Sequence, residues 1–545
     1  MATSVAQAEA QYERLPLPLG VSLPPGDAHA LSVSMPAWED VVGYEEARPG
    51  VIDAMACGYP RFFRHPFVKQ LEAELKRSFA PFQQLIGAWN LMVVPTEDVA
   101  KRLHAFLSTQ DDVSQADRDS AAVHSVRDGL AWVVIFHDAL TLLANRFWQH
   151  TGEIVSSRHA ERLLELLRTD ARGHQIVKMH GTPGHAALRE RVAGLYFGKT
   201  NAAANARNVA VYPTGMGGIF AALRLLTQFQ KDAKAILFGF PYLDTLKLLQ
   251  RTQWCPAGVH FFPVSGEKEL MAVEEILKKE KILAIFTEFP SNPLLSLPDL
   301  DKLAALAHEH GTYLVVDDTV GSYNTNALKN GTADIVCTSL AKIFSGTCNV
   351  MAGSVVLNPQ GASYDAFLEH LTSTSDSFLV EEDAKALNKA SVDLEERIAR
   401  VNASTSVLVK RLQSHKAVKA LYYPELGSTA DVELFRRYAS SIYSGTEQPS
   451  FGPLFSVVLH GGEQAARAFY DTMKVAKGPS LGTNFTLACP YTVIAHYYEL
   501  DYVESCGVDR NLVRISIGLE DPETLWATLQ DALGAAESVL HRQQQ

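Results

Sequence analysis

From Asn208 onward the chain alternates short apolar runs with longer stretches of helical period, and this alternation limits the fold more than any other feature. Runs at Val209–Pro213, Ala235–Phe240, Val259–Val264, Leu283–Glu288, Tyr313–Asp317, Asp334–Thr338 and Ser354–Leu357 read as buried strands. Helical segments lie between them, such as Ile219–Phe229 and Leu300–His310, the latter closed by Gly311. Such a pattern predicts an α/β fold, a parallel sheet with helices on both faces. Ligands of open α/β sheets sit at the C-terminal ends of the strands, so the polar residues at those ends carry the functional argument.

Two strand ends stand out. Tyr313–Asp317 ends in a pair of carboxylates, Asp317-Asp318, followed by Thr319. Asp334–Thr338 runs into Ser339-Leu-Ala341-Lys342-Ile-Phe-Ser-Gly346. A lysine with apolar residues on both sides is costly unless it is paired, neutralised or bonded. Burial lowers a lysine pKa and turns it into a nucleophile or Schiff-base partner. The plain alternative is a lysine that snorkels from a strand end to water.

Size and charge exclude several classes. The chain has 545 residues, 47% of them apolar, enough to bury a large core in two or three domains. A net charge of −12 argues against nucleic acid or an anionic membrane as the main partner. The most apolar long segment, Gly129 to Trp148, is broken by His137, Asp138 and Arg146 and reads as a core helix, not a membrane span. The N-terminus shows neither a signal-peptide core nor an Arg-rich transit pattern. Six scattered cysteines without CxxC spacing predict a reducing, cytoplasmic setting and no metal site.

A strand-end Asp, about twenty-five residues, then Ser-x-x-Lys and a Gly-rich exit resembles the pattern of pyridoxal-phosphate (PLP) enzymes. More narrowly, the chain resembles the cystathionine γ-synthase family of Cys/Met metabolism, in its long fungal form. Tyr212-Pro-Thr214-Gly215-Met216-Gly217-Gly218 is similar to that family's Ser-Gly-Met loop, and backbone amides at such a helix start bind phosphate. Glu288-Phe-Pro290-Ser-Asn292-Pro293, Gly478-Pro-Ser480-Leu-Gly482 and Arg514-Ile-Ser516-Ile-Gly518-Leu-Glu520 each match a further family motif in order.

The resemblance implies the aspartate aminotransferase-like fold (fold type I), with a mostly parallel seven-stranded sheet. A long helix around Glu381–Leu412 would then lead to a smaller C-terminal α/β domain with strands at Phe455–Leu459 and Leu512–Ile517. It also implies PLP as cofactor, bound by Lys342 and by Gly215, Met216, Tyr242, Asn292, Asp317 and Ser339. Lys342 is the catalytic residue in this reading. Tyr242 would stack on the cofactor ring, and Asp317 would keep the pyridine nitrogen protonated. Ser480 and Arg514 would meet the amino-acid substrate, the guanidinium fork fitting its carboxylate. Asp318 stands where the family has Asn, and Ala341 stands where it has a second hydroxyl.

The implied domains are an arm over 1–80, a helical insertion and lead-in over 81–205, a PLP-binding domain over 206–390 and a small domain over 391–545. Residues 1–50, rich in Pro and Gly, read as an extended arm on a surface. The family supplies a Tyr-x-Arg from a neighbouring subunit to hold the phosphate. Two places fit that role here: Tyr59-Pro60-Arg61, the preferred one, and Arg172-Gly173-His174. The implied activity is γ-replacement on an O-acyl-L-homoserine, in a homo-oligomer built as a dimer of dimers. A γ- or β-lyase and a catalytically inactive member of the fold are the rivals. A serine hydrolase built on Ser339-x-x-Lys342 would need Ser-Asp-Asn and Lys-Thr-Gly partners, which the chain lacks.

Overall fold

A computed structural model describes residues 15–545 apart from 170, 174–176, 322, 374–376 and 441–449. The arm carries a two-stranded ribbon, β1 (Ser22–Leu23) against β2 (Ser32–Val33). A three-stranded antiparallel sheet follows, with β3 (Trp89–Val94), β4 (Ala122–Val126) and β5 (Ala131–His137) in the order β3-β5-β4. Seven strands form the large sheet: β6 (Val209–Tyr212), β7 (Lys234–Phe238), β8 (Val259–Phe262), β9 (Ile282–Glu288), β10 (Leu314–Asp317), β11 (Ile335–Ser339) and β12 (Gly353–Leu357). Their order is β6-β12-β11-β10-β9-β7-β8, and β12 alone runs against its neighbours. The small C-terminal sheet holds β13 (Val418–Tyr422), β14 (Leu454–Leu459), β15 (Ala476–Lys477), β16 (Leu487–Pro490) and β17 (Val513–Ser516).

The large sheet takes the predicted form because its strands are apolar on both faces and must be covered on both. β10 reads Leu-Val-Val-Asp, with its three aliphatic residues at most 2% exposed. In register, Asp317 lies opposite Glu288 on one side and Cys337 on the other, so β9, β10 and β11 end together. The helix Gly215–Phe229 starts at β6, where the Thr214 hydroxyl accepts from the Gly217 amide at 2.8 Å.

Two helical expectations are corrected. Gly129 to Trp148 is not one core helix: residues 131–137 form the central strand of the three-stranded sheet, and the helix Thr141–Thr151 follows. The run Trp132-Val-Val-Ile-Phe136 is β-branched and aromatic, which suits a strand with both faces covered. Arg127, Asp128 and Gly129 turn the chain with φ of 47°, 59° and 89°. The 81–205 stretch is therefore mixed α/β in its first part. Likewise, Glu381–Leu412 is two helices, Glu381–Ala390 and Leu394–Gln413, broken between them.

The arm is not a loose surface strap. Leu23, Leu31, Val33, Met35 and Trp38 are all at most 2% exposed. Helix Pro66–Ser78 packs on the three-stranded sheet through Val68, Leu71 and Leu75, so it belongs with that unit and not with the arm. Among the described residues, no helix is long and apolar enough to cross a membrane.

Candidate active site

The strand tips of the large sheet face the small sheet's β17 and the Gly478–Gly482 loop. Lys342 Nζ donates to the Ser480 hydroxyl at 2.8 Å, and its ammonium sits 4.4 Å from the Tyr59 ring centroid. Among the described residues, Lys342 has no carboxylate partner, which leaves its amine available for covalent chemistry.

Arg514 comes from β17, where Val513 and Ile515 point into the main core and Arg514 points the other way. Although only 6% exposed, it pairs with no carboxylate among the described residues. It donates to Asn292 Oδ1 at 2.9 Å and to the Ser480 carbonyl at 2.8 Å, over the Tyr491 ring at 4.7 Å. Asn292 Nδ2 in turn donates to the Tyr491 hydroxyl at 3.1 Å. A buried guanidinium that meets only neutral groups is ready for an anionic ligand.

Beneath these residues, Glu288 takes the Tyr242 amide on one oxygen at 2.5 Å and the Asn292 amide on the other at 3.0 Å. Burial, then the neighbouring Asp317 carboxylate, pushes Glu288 up from the ordinary carboxylate range. Burial raises Asp317 as well, against the Thr319 amide that donates to its Oδ1 at 2.9 Å. A cationic ring nitrogen beside Asp317 would offset that cost. Asp318 faces away, accepting from Thr325 at 2.7 Å and from the Tyr196 hydroxyl at 3.2 Å.

At the other end of the site, Thr214–Gly218 closes on Ser339. Of the first-turn amides, Gly217 is taken by the Thr214 hydroxyl and Gly218 by the Thr214 carbonyl, which leaves those of Gly215 and Met216. A Cβ on Gly215 would lie 2.8 Å from Ser339 Cβ, so only glycine lets the loop close on that serine. The Met216 side chain is buried in the helix–sheet core, so its backbone is what it offers the site. Ala341 is 3% exposed in the apolar core of the N-terminal unit, where a hydroxyl would lie among hydrocarbon.

Of the two Tyr-x-Arg-like segments, Tyr59 and Arg61 lie at this site. Arg61 bonds the Tyr242 hydroxyl and pairs with Asp244 Oδ2 at 2.6 Å, both side chains at most 2% exposed. Arg172 is on the surface, 3.9 Å from Asp128, and His174 lies outside the described residues. Asp244, Gln149 and Tyr491 carry no motif and emerge only from the geometry. The chemistry of these neighbouring residues fits PLP: a lysine without a carboxylate partner among the described residues, the helix-start amides of Gly215 and Met216, and a carboxylate on the sheet.

Residues 164–534 match the model of the Cys/Met metabolism PLP-dependent enzymes, and residues 67–156 match the fungal trans-sulfuration enzyme N-terminal domain. The chain is 33% identical to a cystathionine gamma-synthase of Neurospora crassa, over 96% of this chain and 99% of that protein. It is 34% identical to a cystathionine gamma-synthase-like enzyme of Amanita muscaria, over 96% and 97%. The crystal structure of the Xanthomonas oryzae pv. oryzae cystathionine gamma synthase in complex with cystathionine matches with a TM-score of 0.57. That likeness, at 24% identity over 66% of this chain and 87% of the other, speaks to the fold. The chain belongs to the PLP-dependent enzymes of Cys/Met metabolism, as a cystathionine gamma-synthase-like member of fold type I with the fungal trans-sulfuration N-terminal domain.

Proposed function

We propose that the chain catalyses γ-replacement on an O-acyl-L-homoserine, with cysteine as the nucleophile. The observation that carries this is the meeting of Lys342 and Arg514 on one residue, Ser480. An amine and a guanidinium so placed match the two ends of an α-amino acid. The name of the Neurospora crassa relative supports cystathionine as the product.

In this reading Gly215, Met216, Ser339 and Arg61 would hold the phosphate of PLP, Asp317 would hold its ring nitrogen and Tyr242 would meet its ring. PLP supplies the electron sink that makes Cα and Cβ protons acidic. Arg514 grips the α-carboxylate and, through Asn292 and the Ser480 carbonyl, fixes the substrate's orientation. Lys342 Nζ moves protons at Cα and Cβ, with the Ser480 hydroxyl holding the amine in place. The γ-acyloxy group leaves as a carboxylate, and the cysteine thiol forms the new thioether bond at Cγ. We further infer a homo-oligomer and a cytoplasmic setting. All six cysteines are free and buried, which suits a reducing compartment.

The test is turnover of the holoenzyme on O-acetyl- and O-succinyl-homoserine with cysteine. Release of the carboxylate with formation of cystathionine is expected for one of them. Failure on both, with cleavage of cystathionine to ammonia and a keto acid, would make the enzyme a lyase.

A further inference from the structure

Tyr491 directly follows β16 and opens the short helix Tyr491–His496. Its hydroxyl accepts from Asn292 Nδ2 at 3.1 Å, and the Arg514 guanidinium lies 4.7 Å from its ring centroid. Arg514 in turn donates to Asn292 Oδ1 at 2.9 Å, so the three side chains close a triangle.

The ring is held from behind. Tyr491 is 3% exposed and belongs to an apolar cluster in which Phe240 meets Val458, Val503 and Leu512 of the small domain. Phe240 stands two positions before Tyr242, so this cluster ties the Tyr242 loop to the small sheet. The His496 ring lies 6.0 Å from the Tyr491 ring and 5.5 Å from the Phe240 ring, and its Nδ1 bonds Glu499 at 2.9 Å. The Tyr491 amide donates to the Leu512 carbonyl at 3.1 Å. Together these contacts fix the ring against the guanidinium.

A buried guanidinium needs partners, and the kind of partner decides what it can still bind. A carboxylate would neutralise its charge and close it to an anionic ligand. An aromatic face attracts the cation and leaves that charge in place. Burial pushes the Tyr491 phenol up from its ordinary pKa, so the ring is neutral. Two of the five guanidinium N–H groups go to Asn292 and to the Ser480 carbonyl. The Cys489 thiol, opposite Arg514 in the register of β16 and β17, is at most a weak acceptor. At least two donors therefore remain for a carboxylate, and the stacked ring sets the plane in which they point.

We propose that Tyr491 is a positioning residue of the substrate site: its ring fixes the plane of Arg514 and its hydroxyl fixes Asn292, so that the guanidinium edge meets the α-carboxylate of an amino acid. This inference rests on the reading of Arg514 as the carboxylate clamp and extends that role to a residue outside the motifs.

The test titrates the holoenzyme with L-2-aminobutyrate, which has no γ leaving group, and with n-propylamine, the same molecule without its carboxylate. Cofactor absorbance reports binding of both. Tyr491→Leu should weaken aminobutyrate roughly 2- to 30-fold, the range for a lost cation–π contact, and leave propylamine unchanged. Tyr491→Phe keeps the ring and should recover most of the loss. In an Arg514→Ala background, Tyr491→Leu should weaken aminobutyrate no further. Equal weakening of both ligands, undiminished aminobutyrate binding, or a full additional loss in that background would overturn the proposal. Where Tyr491→Leu fails to retain PLP, Tyr491→Met takes its place, an adaptable side chain without an aromatic face. Loss of PLP from both would make Tyr491 structural and overturn the proposal as well. Arg514→Ala alone separates the two readings. If it weakens both ligands alike, the clamp itself is wrong; if it weakens only aminobutyrate while Tyr491→Leu does not, the role of Tyr491 alone falls.

Discussion

Lys342 Nζ donates to the Ser480 hydroxyl at 2.8 Å, while the carbonyl of Ser480 accepts from Arg514 at 2.8 Å. Ser480 has φ of +112°, a conformation that a non-glycine residue rarely adopts and that surrounding contacts must enforce. The strained backbone places hydroxyl and carbonyl toward two different cationic side chains. Replacing Ser480 with Ala removes the acceptor of Lys342 and keeps the carbonyl for Arg514. Loss of a hydrogen bond to a charged group costs about 1.5–3 kcal/mol, so kcat should fall roughly 10- to 150-fold with PLP still bound. Unchanged kcat would remove the hydroxyl from the reaction.

Arg514→Ala should cost about 2–5 kcal/mol of substrate stabilisation, roughly 30- to several-thousand-fold in kcat/KM. Arg514→Lys should recover only part, because a point charge cannot serve Asn292, Ser480 and a carboxylate together. Titration of each variant with both acyl-homoserines, followed by turnover and by cofactor absorbance, checks this. Loss of bound PLP in Arg514→Ala would make the arginine structural.

Asp244→Asn leaves the Arg61 charge buried without its carboxylate. Breaking a buried pair in this way costs about 3–5 kcal/mol. The phosphate of PLP can take over part of the lost carboxylate's role, so the apoenzyme should lose more thermal stability than the holoenzyme. Thermal melts of both forms measure the difference. Equal losses would mean that Arg61 does not face the phosphate.

His29 and His65 sit with ring centroids 6.4 Å apart where the arm meets helix Pro66–Ser78. Burial, then Arg158, lowers His29 to about 4; burial, then His29, lowers His65 to about 4. Below about 6.5 the unfolded histidines bind protons that the folded ones refuse. Apoenzyme stability should therefore be full above that pH and fall as the pH drops toward 4. The double variant His29→Gln, His65→Asn keeps hydrogen-bonding side chains at both positions and should flatten this slope, as thermal melts across that window would read. An unchanged slope would place the acid sensitivity elsewhere.

The large sheet was legible because each of its strands is a short apolar run closed by turn residues, with helices between. Of the candidate site, Asp317 and Ser339 were legible as polar strand ends and Lys342 as a lysine among apolar residues, while Asn292 and Arg514 were picked out through the motifs of the family resemblance. β5 was not, because a strand covered on both faces has no period of two, and its apolar run joins the next helix without a Gly or Pro. The Asp128-Gly129 turn was the available clue. Arg61 and Asp244 are 183 positions apart, and nothing local to either marks the pair. The break between Ala390 and Leu394 likewise carries no Gly or Pro.

Lys342 is the proposed carrier of the cofactor. Borohydride reduction of the holoenzyme, followed by digestion and mass spectrometry, should find PLP fixed to the peptide containing Lys342 and to no other. In the Lys342→Ala protein the same treatment should leave the chain unlabelled while PLP still binds reversibly. Fixation to another lysine of the native enzyme, or persistent labelling of the Lys342→Ala chain, would contradict the account.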